Sequence, residues 1–307
     1  MEVTQDLKIK KSISPFKKDR IREAIWGFAF VTPNFLIVLI FTFIPVFFSL
    51  YMSLTDWNII GKPNFIGFEN YEMIMKDKVA RETFFNTFYF TCLSVPINVV
   101  LTLILAVLLN QKMKSITFFR TAYYLPVISA SVAVSLMFMW ILANNGLLNQ
   151  IITGLGFEPV RWLTDPKLAL NSVIGVTIWK GLGLNMIIFL AALQDVPHEL
   201  VEAAAIDGAN RIQQFTKITV PLISPVIFFV TITGVIGSFQ SFDLVYNMTH
   251  GGPGHATTLI GYYIWRQAFD YMNMGYGAAL AYIVFAVILV LTLIQWFLRK
   301  RWVYSEE

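Results

Sequence analysis

Residues 202–221 read Glu202-Ala-Ala-Ala-Ile-Asp-Gly-Ala-Asn-Arg-Ile-Gln-Gln-Phe-Thr-Lys-Ile-Thr-Val-Pro221, a polar island between two strongly apolar stretches. Small residues beside a Glu, a Gly six positions on, and the closing Ile218-Thr-Val-Pro221 suggest a docking surface. Just upstream, Pro197 suits the first turn of a helix, where its missing N–H costs nothing, and Glu199 complements the helix dipole there. The pattern predicts a helix over 197–207, a corner with Gly208 left-handed, and a second helix capped by Asn210 with Gln213 and running to Pro221. Leu200, Ala204 and Gly208 fall four apart with Ala203 beside them, a smooth stripe that another backbone can approach, and Glu202 adds a directed charge. A loop helix packed on its own protein would use the same residues.

Outward from this island the chain has the composition of a membrane protein. Hydrophobic residues make up 56% and charged residues 14% of the 307, against roughly half and a quarter in soluble domains. Six runs are long and apolar enough to cross a hydrocarbon core of roughly 30 Å, namely 32–54, 84–109, 123–142, 169–193, 222–246 and 277–298. The expected fold class is an all-α membrane protein with six transmembrane helices. Outside those runs, fifteen Lys and Arg lie on the side of the termini and seven on the other, so both termini and the Glu202 loop are expected in the cytoplasm.

The basic residues of the N-terminal arm, from Lys8 to Arg22, make it too polar for the apolar region of a signal peptide. No small-residue cleavage site follows the first run, which is therefore expected to be retained. The arm reads as a plain basic segment under positive-inside selection, not as a nucleic-acid site. Pro33 and Pro45 should bend the first run near its ends. The boundaries that follow are a basic cytoplasmic arm 1–25, a first helix and outer loop 26–83, a membrane core 84–298 containing the island loop 195–221, and a cytoplasmic tail 299–307.

Between the runs no stretch exceeds about thirty residues, below the roughly 50 of an independent domain. The phosphate-cradling pattern G-x-x-x-x-G-K-[ST] is missing. If a solute is moved uphill by ATP, another polypeptide must hydrolyse it. Cys92 is the only cysteine and lies inside the second run, so there is no disulfide framework and no Cys-based metal site. His250-Gly-Gly-Pro-Gly-His255 lacks the other ligands a metal needs at suitable spacing and reads as a turn. No nucleophile with a base appears, which argues against an enzyme.

Polar groups within a span are costly, about 2.5–3.5 kcal/mol for a central charge, so each is a functional candidate. Lys180 lies eleven residues into the fourth run, about 16 Å deep at 1.5 Å per residue, and Asn185 follows it. In the fifth run, read as one helix, Gln240, Asp243 and Asn247 share a polar face, and Phe239, Phe242 and Tyr246 an adjacent aromatic one. Saccharides need that mixture, polar partners for hydroxyls and aromatic planes for apolar ring faces, although ordinary packing explains Phe239 and Phe242 singly. A Lys180–Asp243 pair would have to bridge roughly 12 Å of depth. Lys180 is expected instead to face a polar cavity or a partner subunit, where it would favour solutes with acidic or strongly accepting groups.

The run Glu202-Ala203-Ala204, Gly208, Ile218 and Val220-Pro221 resembles the EAA loop of bacterial ABC importer permeases, with Val220 where the family usually has Leu. Asp207-Gly208-Ala209 is similar to the form found in permeases of the maltose and glycerol-phosphate type. Asn86-Thr87, Phe118-Phe119-Arg120 with Leu125-Pro126, Gly146 with Asn149, Thr249 to Pro253 with Thr257, and Gly275-Tyr276-Gly277 match as well, so the likeness covers nearly all of 33–298. The resemblance implies a type I ABC importer transmembrane fold in the bacterial cytoplasmic (inner) membrane. It implies that Glu202, Ala203, Ala204, Asp207, Gly208, Ile218 and Pro221 couple the chain to a cytoplasmic ATPase. It further implies two ATPase subunits holding ATP and Mg, an extracytoplasmic solute-binding protein, and a second homologous permease that completes a heterodimer in the lipid bilayer. The chain itself is expected to bind no cofactor and no metal.

A permease for peptides or other non-sugar solutes fits the same scaffold. An ion-driven secondary transporter would show matching halves around a central ionisable site, and no such pair of halves is visible.

Overall fold

The computed structural model describes residues 15–111 and 116–304. Of the positively charged residues counted above, Lys8, Lys10, Lys11, Lys112 and Lys114 lie outside the described residues, as do residues 305–307 of the tail. By its internal contacts the chain divides into two units, one ending at Met52 and one beginning at Ser53.

In the first unit α1 spans Pro15–Val38 and α2 spans Ile44–Ser53, joined by a wide π turn over Leu39–Phe43. Its N–H of Ile44 bonds back five residues to Leu39 O. Pro45 follows at once, and a proline ring collides with the carbonyl four residues back in a regular helix, so the wider turn relieves that contact. Pro33, by contrast, is carried within α1.

The second unit opens with two short strands, β1 Thr55–Asp56 and β2 Asn64–Phe65, paired antiparallel, so the chain is not purely α. The turn between them is held by Trp57 Nε1 donating to Gly61 O and by Gly61 N–H donating to Asn58 Oδ1. Then come α3 Glu69–Lys76, α4 Lys78–Leu109, α5 Ile116–Ile128, α6 Ser131–Ile141 and α7 Leu147–Gly154. The chain continues through α8 Ala169–Gln194, α9 His198–Ile206, α10 Arg211–Gln214, α11 Val220–Phe239, α12 Asp243–Met248, α13 Ile260–Trp265 and α14 Met274–Arg299. Among the described residues five helical stretches are long and apolar enough to cross a membrane, and up to six if α5 and α6 form one broken span.

Two expected spans are broken. The run 123–142 is not one straight helix, because α5 and α6 meet at 101°. Pro126 withholds an N–H near the end of α5, and Ala130 is extended at φ −58°, ψ 134°, ahead of α6. The run 222–246 stops at Phe239, Gln240 caps it, and Phe242 at φ −137° separates it from α12. A close approach holds that break open: Gly261 lies so near Ser241 O that a Cβ on it would sit 2.9 Å away.

The long helix α4 touches every part of the interior. Phe90 joins Val173, Val176, Val245 and Leu259; Val95 joins Val235, Phe239, Ile260 and Leu280; Ala106 and Leu109 join Met186, Phe189, Leu190, Ile223 and Val230. Its buried face is polar at a period near four, through Thr83, Thr87, Thr91, Asn98 and Thr102. Four of these hydroxyls donate to carbonyls four residues back, Thr83 to Val79 O, Thr87 to Thr83 O, Thr91 to Thr87 O and Thr102 to Asn98 O. With their hydrogen bonds met internally, they lie against apolar neighbours without the cost of a bare polar group. Large apolar residues such as Phe285 and Phe297 on α14 stay exposed, as expected where lipid is the solvent.

Candidate substrate path and coupling loop

A cavity of about 180 Å³ lies among α4, α8 and α11. Its polar lining is Ser94 and Asn98 from α4, Thr177 and Asn185 from α8, and Ser238 with Ser241 at the end of α11. Gly181, Gly234 and Gly237 line it too and keep it open where side chains would fill it. Asn185 Nδ2 donates to Asn98 Oδ1 at 2.7 Å, Asn98 Nδ2 donates to Ile178 O at 3.2 Å, and Thr91 and Ser238 hydroxyls meet at 2.8 Å. The lining is thus neutral and largely apolar, through Phe90, Val95, Val99, Ile178 and Val230, with a few hydroxyls and amides set into it, a mixture that can take both the ring faces and the hydroxyls of a polyhydroxylated solute.

The residues expected on the path are not all brought together. Asn185 lines the cavity. Lys180 is half-buried on α8 and its Nζ bonds to Ser131 Oγ, at the break between α5 and α6. Phe239 is 3% exposed and packs with Val95, Val235 and Leu280, so it is core and does not face the cavity. Gln240 is exposed at the cap of α11 and Asp243 is exposed in the first turn of α12, so the polar face expected of Gln240, Asp243 and Asn247 on one helix does not exist. Tyr246 belongs to an aromatic nest, with Phe242 stacked at 5.1 Å, Trp265 edge-on at 5.0 Å and Tyr262 at 6.1 Å. Asn98 and Ser94 were not among the expected residues. Their signal was available, since Thr83, Thr87, Thr91, Asn98 and Thr102 repeat along an otherwise apolar span.

At the C-terminal end of α4 sits the loop 195–221, anchored by Val196 and Val201 in the cluster of Ala106 and Leu109. Helix α9 starts after Pro197 and ends in a left-handed corner with Gly208 at φ +82°. There Ala209 N–H reaches Ala204 O and Gly208 N–H reaches Ala205 O, a Schellman closure that satisfies the last carbonyls of the helix. Asn210 and Gln213 then form a reciprocal capping box on α10. The second helix does not end at Pro221. A π turn over Phe215–Thr219, with Val220 N–H bonded to Phe215 O, carries α10 into α11 just before the proline, as at Pro45. Glu202, Ala203 and Asp207 are exposed, Ile206 is 87% and Ile212 75% exposed, and Ala204, Ile218 and Pro221 are half-buried. The outward face is therefore Leu200, Ala203, Ile206 and Glu202, while Val201 and Ala204 turn inward.

At the opposite end of α4, Asp77 caps the helix through Val79 N–H and accepts from Tyr263 and Tyr276 hydroxyls at 2.6 and 2.7 Å. Burial pushes its carboxyl up, but the tyrosines and the Val79 and Ala80 N–H groups outweigh burial and hold it below the ordinary 3.8. Burial and the bond to Asp77 push the Tyr263 hydroxyl up to about 12. Several other motif residues are also structural. Asn86 donates to His255 O and Thr258 O, Thr87 Oγ1 accepts from Ile260 N–H, and Asn149 ties Ala143 O, Asn144 O and Val160 together. The His250–His255 segment is a turn, with Thr257 and Thr258 hydroxyls donating to Gly252 O and Gly251 O. Among the described residues no group of three His, Cys, Asp or Glu is placed to hold a metal ion.

Apolar helices of membrane-spanning length enclose a cavity with a few hydroxyls and amides, and an exposed helical corner stands at one end, an arrangement consistent with a membrane transport subunit. The chain belongs to the family described as binding-protein-dependent transport system inner membrane component, which it matches over residues 73–304. It is 36% identical over 304 residues to the probable ABC transporter permease protein YesP of Bacillus subtilis (strain 168), covering 97% of this chain and 96% of that one. It is also 36% identical over 282 residues to the lactose transport system permease protein LacF of Rhizobium radiobacter, covering 90% and 94%. Among solved structures it superposes with TM-score 0.82 and 25% identity on a chain of a bacterial ABC transporter involved in the import of the acidic polysaccharide alginate, covering 93% of this chain and 98% of that one. The protein is thus a multi-pass inner-membrane subunit of the ABC permease family, similar to sugar permeases, and a transport subunit, not an enzyme.

Proposed function

We propose that this chain is one permease of a type I ABC importer for a saccharide or related polyol, with six spans and with both termini and the 195–221 loop in the cytoplasm. The observation that carries this reading is the loop itself. A nine-residue helix closed by a Schellman corner and followed by a capping box is a rigid, pre-organised projection, and it exposes Ile206, Glu202 and Ala203. Such a projection transmits force only if something grips it, and ATP-driven closure of two ATPase subunits, which hold ATP and Mg, is the movement it would receive. A second homologous permease completes the pore, and an extracytoplasmic binding protein delivers the solute.

The solute passes the cavity of Ser94, Asn98, Asn185 and Ser241, whose hydroxyl and amide lining suits sugars. Lys180 on α8, Gln240 at the cap of α11, and Asp243 and Tyr246 in α12 are the further candidates along that route. The lactose and alginate named for the relatives support a saccharide as cargo. The test is Glu202→Lys in the assembled transporter. Normal membrane insertion with loss of ATPase co-purification and of uptake is expected; retained co-purification with wild-type uptake would refute the coupling role.

A further inference from the structure

We infer that the cargo is an acidic saccharide, a sugar carrying a carboxylate or comparable anion, and that Lys180 selects it; this rests on the permease reading above. Lys180 lies in the middle of α8, an apolar helix of membrane-spanning length. A cation at that depth is costly unless it is compensated. Its one hydrogen-bond partner among the described residues is the neutral hydroxyl of Ser131. Among the described residues no carboxylate lies within 4.0 Å of it, the single ion pair being Arg22–Asp19. Ser131 opens α6, and the start of a helix carries positive partial charge, so it does not neutralise an ammonium either.

Gly181 and Thr177 line the cavity, and Lys180, between them in sequence, lies outside the lining on the adjoining face of α8, with its ammonium turned to Ser131 at the start of α6. Inside the cavity every polar group is neutral. The two halves of the arrangement divide the recognition: amides and hydroxyls suit the ring hydroxyls, and the uncompensated ammonium suits one anionic substituent. An ammonium–carboxylate hydrogen bond in a poorly hydrated site is worth more than a neutral one.

The experiment uses the whole transporter in proteoliposomes, with its partner permease, ATPases and binding protein, and two probes of one skeleton, an oligogalacturonate and the corresponding neutral galacto-oligosaccharide. Wild type is expected to take up the oligogalacturonate. Lys180→Met is expected to lower that uptake roughly tenfold or more, as loss of a charged hydrogen bond would, and to lower neutral uptake, where present, by a much smaller factor, with Lys180→Arg retaining most of both. Wild-type uptake confined to the neutral probe, or undiminished oligogalacturonate uptake by Lys180→Met, overturns the inference and leaves the permease reading standing. Equal loss of both probes in Lys180→Met, with normal membrane yield, also overturns it and assigns Lys180 to pairing with the partner permease. Absence of ATP-driven uptake of either probe by wild type removes the saccharide reading together with the inference.

Discussion

Asn185 donates its amide to Asn98 Oδ1 at 2.7 Å, tying α8 to α4 at the wall of the cavity. Asn98 in turn donates to Ile178 O, so one side chain fixes both the spacing of two spans and the presentation of Asn185. Asn98→Leu should cost about 1 kcal/mol in SDS-induced unfolding, since interhelical hydrogen bonds in membranes average near 0.6 and reach 1.7 kcal/mol. Uptake should fall further than stability does, because Asn185 loses its orientation. Uptake that simply tracks the folded fraction would reduce Asn98 to a packing role.

Gly208 at φ +82° has open space where a Cβ would point, so the penalty for replacing it is conformational and not steric. Left-handed backbone costs an ordinary L-residue about 1–2 kcal/mol and Asn less. Gly208→Asn should keep ATPase binding, and Gly208→Val should lose it at equal membrane yield. Co-purification of the ATPase with the Val variant at the wild-type level would contradict a rigid corner.

Gly183 is a different case. A Cβ there would run into the Tyr123 carbonyl, where α5 crosses α8. Gly183→Leu should push the two helices apart and destabilise the detergent-solubilised protein by about 1–3 kcal/mol, the usual range for overpacking. Gly175→Ala, on the same helix with nothing within 4 Å to meet its Cβ, serves as the sterically open comparison in the same thermal assay.

Asp77 and Tyr263 make opposite contributions on the pH axis. Asp77, held below 3.8, stabilises the fold above that value, and its contribution fades as pH falls through the lower folded value. Tyr263, raised from 10.0 to about 12, contributes fully below 10.0, and its contribution fades as pH rises toward 12. The thermal midpoint should therefore be level between these limits and drop at both ends. Tyr263→Phe should reduce the alkaline drop, leaving the share of Tyr276, whose hydroxyl also donates to Asp77, and should weaken the acidic one, a change that a pH series of unfolding curves will detect.

Much of this was legible because it is local. Gly208, the Asn210–Gln213 box and Pro197 act on their own few residues, so the first helix, its corner and the start of the second could be placed nearly to their boundaries, while the second helix's passage through a π turn into α11 could not. The span positions follow from hydropathy, a property of consecutive residues. The sequence pattern misled where a helix was assumed to continue. Nothing local in Ser238-Phe-Gln-Ser-Phe-Asp243 forces a break, and the close approach of Gly261 to Ser241 O, twenty residues away in the chain, holds it open.

The chain's order of residues alone determined that this protein lives in a bilayer, that it carries a helix–corner–helix loop between two spans, and that Lys180 is a costly charge within a span. These are questions of composition, turn chemistry and solvation, which neighbouring residues answer. Tertiary structure decided which side chains share the cavity. It joined Asn98 to Asn185, sent Phe239 into the core, separated Gln240 from Asp243, and set Lys180 against Ser131. Those pairings depend on how helices far apart in the chain cross and where they break, and contacts such as Gly183 with Tyr123 and Gly261 with Ser241 form only once the helices have packed.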